Sequence, residues 1–463
     1  HIVSGAPGQA AAVVAAEGRI AAALQMLGYA DVEIRPRKVV VDHADRSVQP
    51  TFRIAAGDLV RLDGVKLTTK GRNNPAWVRR LAPWKAGDAY SPAAVGKLEQ
   101  RLIDAQVYDG VTVSLTPKDQ AVGGERPVLV ALSDRPRRTI ELGAGYSTTE
   151  GSGVDAKWFR YNRLGRADTL TLTAILYDIQ QKLDAELDLP DWRRPDQTLR
   201  MGGGLLANST PAYDDAGGGV RLDVERHFTK TTFITLGGAL DFASTQEKTA
   251  INPQATPVGV DLKLYIATGL AAFALDRSND PLNPTRGWRL EARTEPTWIT
   301  GDRKLVYVKA QTQASAYLPL DVDAGTVIAG RLKLGAILGG QIPDVPADRR
   351  FYAGGGGSVR GYGYQAVGPR LIDNTPEGGL SLIETSLEVR RKVARRWGVV
   401  AFADAGTVGL GTTPDFSNVS VGVGLGVRYD LGFGPLRLDI GTPLNPRLGD
   451  GRVQVYISIG QSF

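Results

Sequence analysis

The chain has 463 residues, 56 of them Gly and none Cys, with 42% hydrophobic residues and a formal net charge of +6. Without cysteine there is no disulfide framework and no zinc–thiolate chemistry, and no run approaches the ~18 apolar residues of a transmembrane helix. The charge is spread along the chain without the dense basic runs of a nucleic-acid arm, and the three His (His1, His43, His227) lack metal-ligand spacing. Neither metal, nucleotide nor other cofactor is expected.

Residues 9–27 are Ala-rich with helical spacing, and strand-like runs follow at 32–41 and 49–55. A strand is expected over 59–67, bent at Gly64, then a short helix over 75–82. Ser91 with Pro92 behind it reads as an N-cap and first helical residue. In the helix it opens, Val95, Leu98, Leu102 and Ala105 share one stripe. Strands at 111–115 and 128–132 complete a strand–helix–helix–strand–strand module over 57–135. Residues 1–56 read as the back half of a second copy. The chain starts at His1 without a signal peptide, as expected of a processed or truncated exported protein. A linker around Arg135-Pro136-Arg137 leads into the rest.

From Thr139 onward the pattern changes to long alternating runs. Leu236, Leu240 and Phe242 alternate with Gly237, Ala239 and Asp241. Leu262, Leu264 and Ile266 alternate with Lys263 and Tyr265; Val306 and Val308 with Tyr307 and Lys309; Leu436, Leu438 and Ile440 with Arg437 and Asp439. A strand has a side-chain period of two, so each run has one apolar face and one polar or small face. The charges are assigned to the inner phase and the apolar residues to the outer. The runs are roughly 9–14 residues long, against about five or six for an average globular strand and about 9–11 for a tilted membrane strand. Roughly sixteen of them fit residues 136–463, which predicts a closed, antiparallel, 16-stranded transmembrane barrel. The last run, 452–463, places Val453, Val455, Ile457, Ile459 and the terminal Phe463 in one phase. That ending suits a strand that closes a barrel. Between 341 and 378 the alternation vanishes, and a segment that long without regular structure is usually functional or disordered.

Three features together resemble the POTRA-barrel superfamily of outer-membrane assembly and translocation proteins, the BamA/TamA type, and within it the TamA branch most. They are the segment from Leu102 to Val113, which looks like the end of a POTRA module; the turn from Asp276 to Trp288; and the tetrapeptide Val359-Arg360-Gly361-Tyr362 after the Gly354–Gly357 run. The resemblance implies α+β periplasmic POTRA modules ahead of an outer-membrane barrel, and a loop over 341–378 folded into the lumen. It implies that Arg360 pairs with acids on inner strand phases. Asp404 and Glu388 are assigned to it, with Phe402 beside them; Glu384 shares the phase of Glu388 and stays an alternative. It also implies an outer-membrane insertase or translocase with unfolded barrel or autotransporter clients and a TamB-like periplasm-spanning partner. The alternative is a pore exporting one dedicated protein.

A weak seam between the first strand (139–146) and the last is the second expectation. Leu142, Gly143 and Gly145 mark one side; Ile457, Ile459, Gly460 and Phe463 mark the other. Glycine weakens strand packing, and an unpaired edge is a template for an incoming strand. Enzyme signals are poor. The segment around Ser358 breaks the G-x-S-x-G elbow at its last position, and Gly422-Val423-Gly424-Leu425-Gly426 imitates a phosphate loop inside an expected strand, with no Lys-Ser/Thr after it.

Overall fold

The computed structural model describes residues 5, 7–121, 125–147, 151–249, 255–432, 434–459, 461 and 463. They form two compact units: His1–Arg138 with Arg160–Thr169 and Leu189–Asp191, and Thr139–Phe159 with Leu170–Asp188 and Trp192–Phe463.

In the first unit, helix α1 (Ala10–Met26) precedes an antiparallel pair, β1 (Glu33–Asp42) and β2 (Ser47–Ala55). Then come β3 (Arg61–Leu67), α2 (Pro75–Arg80), α3 (Pro92–Asp104), β4 (Tyr108–Leu115) and β5 (Glu125–Asp134). The sheet order is β3-β5-β4, with β5 parallel to β3 and antiparallel to β4. Both helix starts follow from their caps. The Asn74 side chain accepts from the Ala76 amide at 2.9 Å ahead of Pro75, and Ser91 accepts from the Ala94 amide at 3.3 Å ahead of Pro92. The expected stripe of α3 is realised at its centre: Leu98 and Leu102 are buried with Leu62, Val78, Leu81 and Val130.

Asp31, just beyond α1, forms a two-point ion pair with Arg126 of β5, one arm of which is Nη1 to Oδ1 at 2.9 Å. The hydrogen bond from Arg126 holds the Asp31 carboxyl below its ordinary range, against the opposing pull of desolvation. A carboxyl with a lowered folded-state pKa stabilises the fold fully above its unfolded value of about 3.9, and that contribution is lost as pH falls through the folded value. Wild type should therefore unfold at higher temperature than Asp31→Asn at neutral pH, and the two melting curves should converge as pH falls through the lowered folded-state value. A pH-independent difference would rule the linkage out.

The second unit is built on a closed barrel of sixteen strands. In chain order they are β6 (Arg138–Ser147), β7 (Gly151–Tyr161), β8 (Thr169–Tyr177), β9 (Gln180–Leu189), β10 (Gln197–Ser209), β11 (Tyr213–Thr229), β12 (Thr232–Thr249) and β13 (Val258–Asp276). There follow β14 (Gly287–Gly301), β15 (Leu305–Pro319), β16 (Thr326–Leu338), β17 (Ser381–Lys392), β18 (Trp397–Gly409), β19 (Ser420–Asp430), β20 (Pro435–Pro443) and β21 (Gln454–Ile459). Closure leaves no free sheet edge, the condition for a strand-built membrane span. One side-chain phase is an exposed apolar band that includes Leu205, Leu236, Val306, Leu387 and Leu438. The other carries ion pairs such as Arg221–Asp184 at 2.8 Å and Arg200–Glu225 at 2.6 Å.

One phase assignment reverses. Leu262, Leu264 and Ile266 of β13, expected outside, are all buried, while Tyr265 is 60% exposed. They pack with Ile299, Ile337, Val345 and Phe351. The connection 339–380 between β16 and β17 covers this part of the inner wall with apolar side chains. Here the inside is therefore a core rather than a wet surface.

Candidate functional site

The connection between β16 and β17 folds back among inner-phase residues. Phe351 pairs with Gly379, and Ala353 with Val367, as isolated bridges. Val359 and Tyr362 are fully buried and Arg360 is 1% exposed. Gly354 and Gly361 sit at φ +107° and +98°, the left-handed region that strains other residues. A Cβ on Gly361 would also press on the Thr442 backbone. Arginines on the inner face of the wall hold the segment. Arg437 donates to the Gly356 carbonyl at 3.1 Å, and Arg331 donates to the carbonyls of Gly357 and Ser358 at 2.8 and 2.9 Å.

Arg360 engages all five of its guanidinium protons, the full donor complement of the group. Nε and Nη2 reach the two oxygens of Asp404 at 2.6 and 2.8 Å. Nη1 reaches Glu388 at 2.7 Å and Asp439 at 3.0 Å, and Nη2 also reaches Ser386 Oγ at 3.3 Å. The guanidinium lies 3.6 Å over the Phe402 ring. These partners come from three strands, β17, β18 and β20. Register sets the first two side by side, with Ser386 opposite Asp404 and Glu388 opposite Phe402. Further cations balance the acids: Arg390 binds Glu388 at 2.8 Å, and Arg428 and Arg437 bind Asp439 at 2.5 and 2.6 Å. Removing one partner from such a buried cluster costs about 3–5 kcal/mol, because the remaining charge stays desolvated.

The structure thus brings Val359, Arg360, Gly361, Tyr362, Asp404, Phe402 and Glu388 together. Glu384 is placed elsewhere. It accepts from Ser358 Oγ at 2.5 Å and lies 3.5 Å from Arg331, holding the loop one step before the motif. Asp439 was not picked out from sequence, although its alternation with Leu438 and Ile440 put it in the inner phase. The glycines that imitate a phosphate loop have a steric role. A side chain at Gly422 would collide with the Arg360 carbonyl, one at Gly424 with the Phe402 ring, and one at Gly426 with Asp439.

Tyr456, the buried inner-phase residue of β21, ties this loop to the closing strand. The Gly361 amide donates to Tyr456 Oη at 3.0 Å, and that hydroxyl donates to the Tyr362 carbonyl at 3.2 Å. Among the described residues, β21 registers with β6 at two pairs, Tyr456–Ser147 and Ile457–Tyr146, and with β20 at six. Leu142 faces outward at 80% exposure, and Ile457 is exposed on the other side of the seam. Gly143 and Gly145 make room for the inward side chains of Asp155 and Tyr177. Ile459 pairs through its backbone with Leu436, and Gly460 lies outside the described residues. Phe463 does not continue the outward phase of the strand. It packs with buried Tyr317, Val327 and Ala329, its ring stacked 6.5 Å from Tyr317, and its carbonyl accepts from Arg390 at 3.3 Å. A ring and a cation inside the barrel offer it contacts that the strand phase does not.

Gly424→Val should displace Phe402 and with it the Arg360 cluster, exposing 354–362 to limited proteolysis from outside the barrel. Val423→Ala, on the opposite phase of the same strand, should leave the cleavage pattern unchanged. Equal protection in both variants would show that the glycine stripe does not seat the loop.

The Omp85 superfamily domain matches residues 162–463. The outer membrane protein assembly factor BamA of Neorickettsia risticii (strain Illinois) is 21% identical over 444 residues, covering 91% of this chain and 57% of that protein. The chain spans about half the length of the curated relatives it matches. Among solved structures, BamA from Haemophilus ducreyi lacking POTRA domains 1–3 superposes with a TM-score of 0.82 at 20% identity, covering 99% of this chain and 95% of that one. CdiB from Acinetobacter baumannii gives 0.57 at 15% identity, covering 93% and 78%. With the closed barrel, its inward loop and the family match over residues 162–463, this chain belongs to the Omp85 superfamily and is a protein of the bacterial outer membrane.

Proposed function

We propose that this protein inserts or translocates unfolded client polypeptides at the outer membrane, using the β6–β21 seam as its working edge and the Arg360 cluster to hold the loop inside. The observation that carries this reading is the pair of Tyr456 hydrogen bonds, which joins the loop motif to a strand at the seam. In lipid, backbone groups have no water to bond, so a client strand gains strongly by pairing with an edge that opens there. That pairing supplies the driving force without a nucleotide. The order β3-α2-α3-β4-β5 over 57–135 supports a POTRA module that receives clients on the periplasmic side, and α1-β1-β2 over 1–56 supports the latter part of another. Assembly of barrel proteins is favoured by the BamA relatives. The TamA-type assignment, autotransporter clients and a TamB-like partner rest on the sequence motifs alone.

Photo-crosslinking from Leu142 in cells tests the seam. Capture of C-terminal strands from several outer-membrane proteins is the expected result. Capture of one secreted protein from the lumen side would favour a dedicated exporter, and capture of no client would remove the proposed edge. The role of the loop has its own test. Asp404→Arg should cripple client assembly, and adding Arg360→Asp should partly restore it; full activity in Asp404→Arg alone would overturn the locking role.

A further inference from the structure

The basic residues are not evenly spread, contrary to the sequence expectation. Arg390-Arg391-Lys392-Val393-Ala394-Arg395-Arg396 carries five cations across the turn from β17 to β18. The turn borders a depression of about 260 Å³ whose lining includes Trp397 and Val399 of the outward phase, Arg428 and Val400 of the inward phase, and Asp323 and Asp430. Arg390 and Arg428 are committed to Glu388 and Asp439. Arg391 pairs with Asp321 at 3.1 Å, and Arg396 reaches the Tyr429 hydroxyl at 3.5 Å with the Asp430 carboxylate near it. Among the described residues, Lys392 and Arg395 have no side-chain partner, and both are exposed. The cations therefore outnumber the nearby acids, and two of them are unspent.

The position of the patch identifies what it meets. The outward phase of β17 runs Leu387, Val389, Arg391, and that of β18 runs Ala401, Val399, Trp397, all exposed. The apolar band therefore ends at this turn, where Trp397 and Tyr429 form an edge-on pair at 4.9 Å. An aromatic pair followed by long cationic side chains marks the level of lipid headgroups. The connection 339–380 leaves from the opposite rim, and barrels of this kind have their long loops outside and short turns toward the periplasm.

We propose that the outward edge of this depression binds the phosphate of an anionic phospholipid of the phosphatidylglycerol class, drawn from the periplasmic leaflet. Lys392, Arg395 and Arg396 supply the charge, while exposed Trp397 and Val399 of its lining contact the glycerol and upper acyl region. A free anion would have no use for that apolar border, which is continuous with the lipid-facing wall. The site rests on the outer-membrane location and not on the proposed assembly function.

Native mass spectrometry of the full 463-residue chain in detergent, titrated with phosphatidylglycerol or phosphatidylethanolamine, tests this. Wild type should favour phosphatidylglycerol by about tenfold or more. The triple variant Lys392→Ser/Arg395→Ser/Arg396→Ser should bind it about a hundredfold more weakly, since each cation near an anionic surface contributes several-fold. Lys263→Ser/Lys304→Ser, at the opposite rim, should match wild type. Heat-modifiable electrophoretic migration checks that each barrel is folded. Equal retention of the two lipids by wild type, or wild-type retention by the triple variant, would overturn the site. Displacement of the lipid by an equal concentration of inorganic phosphate would overturn the lipid as its occupant. If the triple variant does not fold, the wild-type comparison of the two lipids still decides.

Discussion

A guanidinium removed from water must be surrounded by charge and acceptors, and the inner architecture of this barrel follows from meeting that demand for Arg360. Burying a lone cation costs several kcal/mol, which neighbouring carboxylates repay only with good geometry. Asp404 supplies a two-point contact, Glu388 and Asp439 close the remaining directions, and the Phe402 ring covers one face. Three negative charges around one positive charge would overshoot. Arg390, Arg428 and Arg437 bring the cluster back toward balance while each also satisfies a carboxylate oxygen. The small residues of β19 are then a steric requirement, because a loop backbone and an aromatic ring must pass within van der Waals distance of the wall.

The lumen is correspondingly divided. Away from the loop the inner phase is wet and ionic, as at Arg221–Asp184. Beneath the loop it is an apolar core formed by Leu264, Ile299, Ile337 and Phe351. The hydrophobic effect seats the loop broadly, and the Arg360 cluster fixes its register. Apolar burial is non-directional, so it could not by itself distinguish one loop position from a slipped neighbour. A five-donor ion cluster can, because a shift of one residue would leave charges unpaired.

Much of this was legible in the sequence because strand periodicity is strict. Alternation alone put Asp404, Phe402 and Glu388 on the inner side, and the order of charged and apolar residues predicted the sixteen-stranded closure. Periodicity does not distinguish positions of equal phase. Glu384 and Glu388 were therefore equivalent until the depth of the loop placed one at Ser358 and the other at Arg360. Phase also cannot report what covers a face, so Leu262, Leu264 and Ile266 were read as lipid-facing when they pack against the loop. Asp439 escaped notice because its partner lies 79 residues away in sequence. Phe463 followed the pattern of its strand on paper, yet it leaves that strand for Tyr317. The basic turn at 390–396 was averaged into a net charge, and its meaning comes from lying at the foot of the apolar band.

The two sides of the seam are not equivalent. β21 is held to β20 by six registered pairs, and Tyr456 binds it to the loop. Toward β6 it is registered through Tyr456–Ser147 and Ile457–Tyr146. The side tied to the loop is the one that stays, so on the proposed function the loop need not leave its arginine cluster when the seam parts. On the proposed function the edge presented to a client is then that of β6, with Leu142 facing the lipid beside it. β21, Tyr456 and the loop remain with the body of the barrel. The arginine cluster would act as an anchor that keeps one side of the seam fixed while the other exchanges partners.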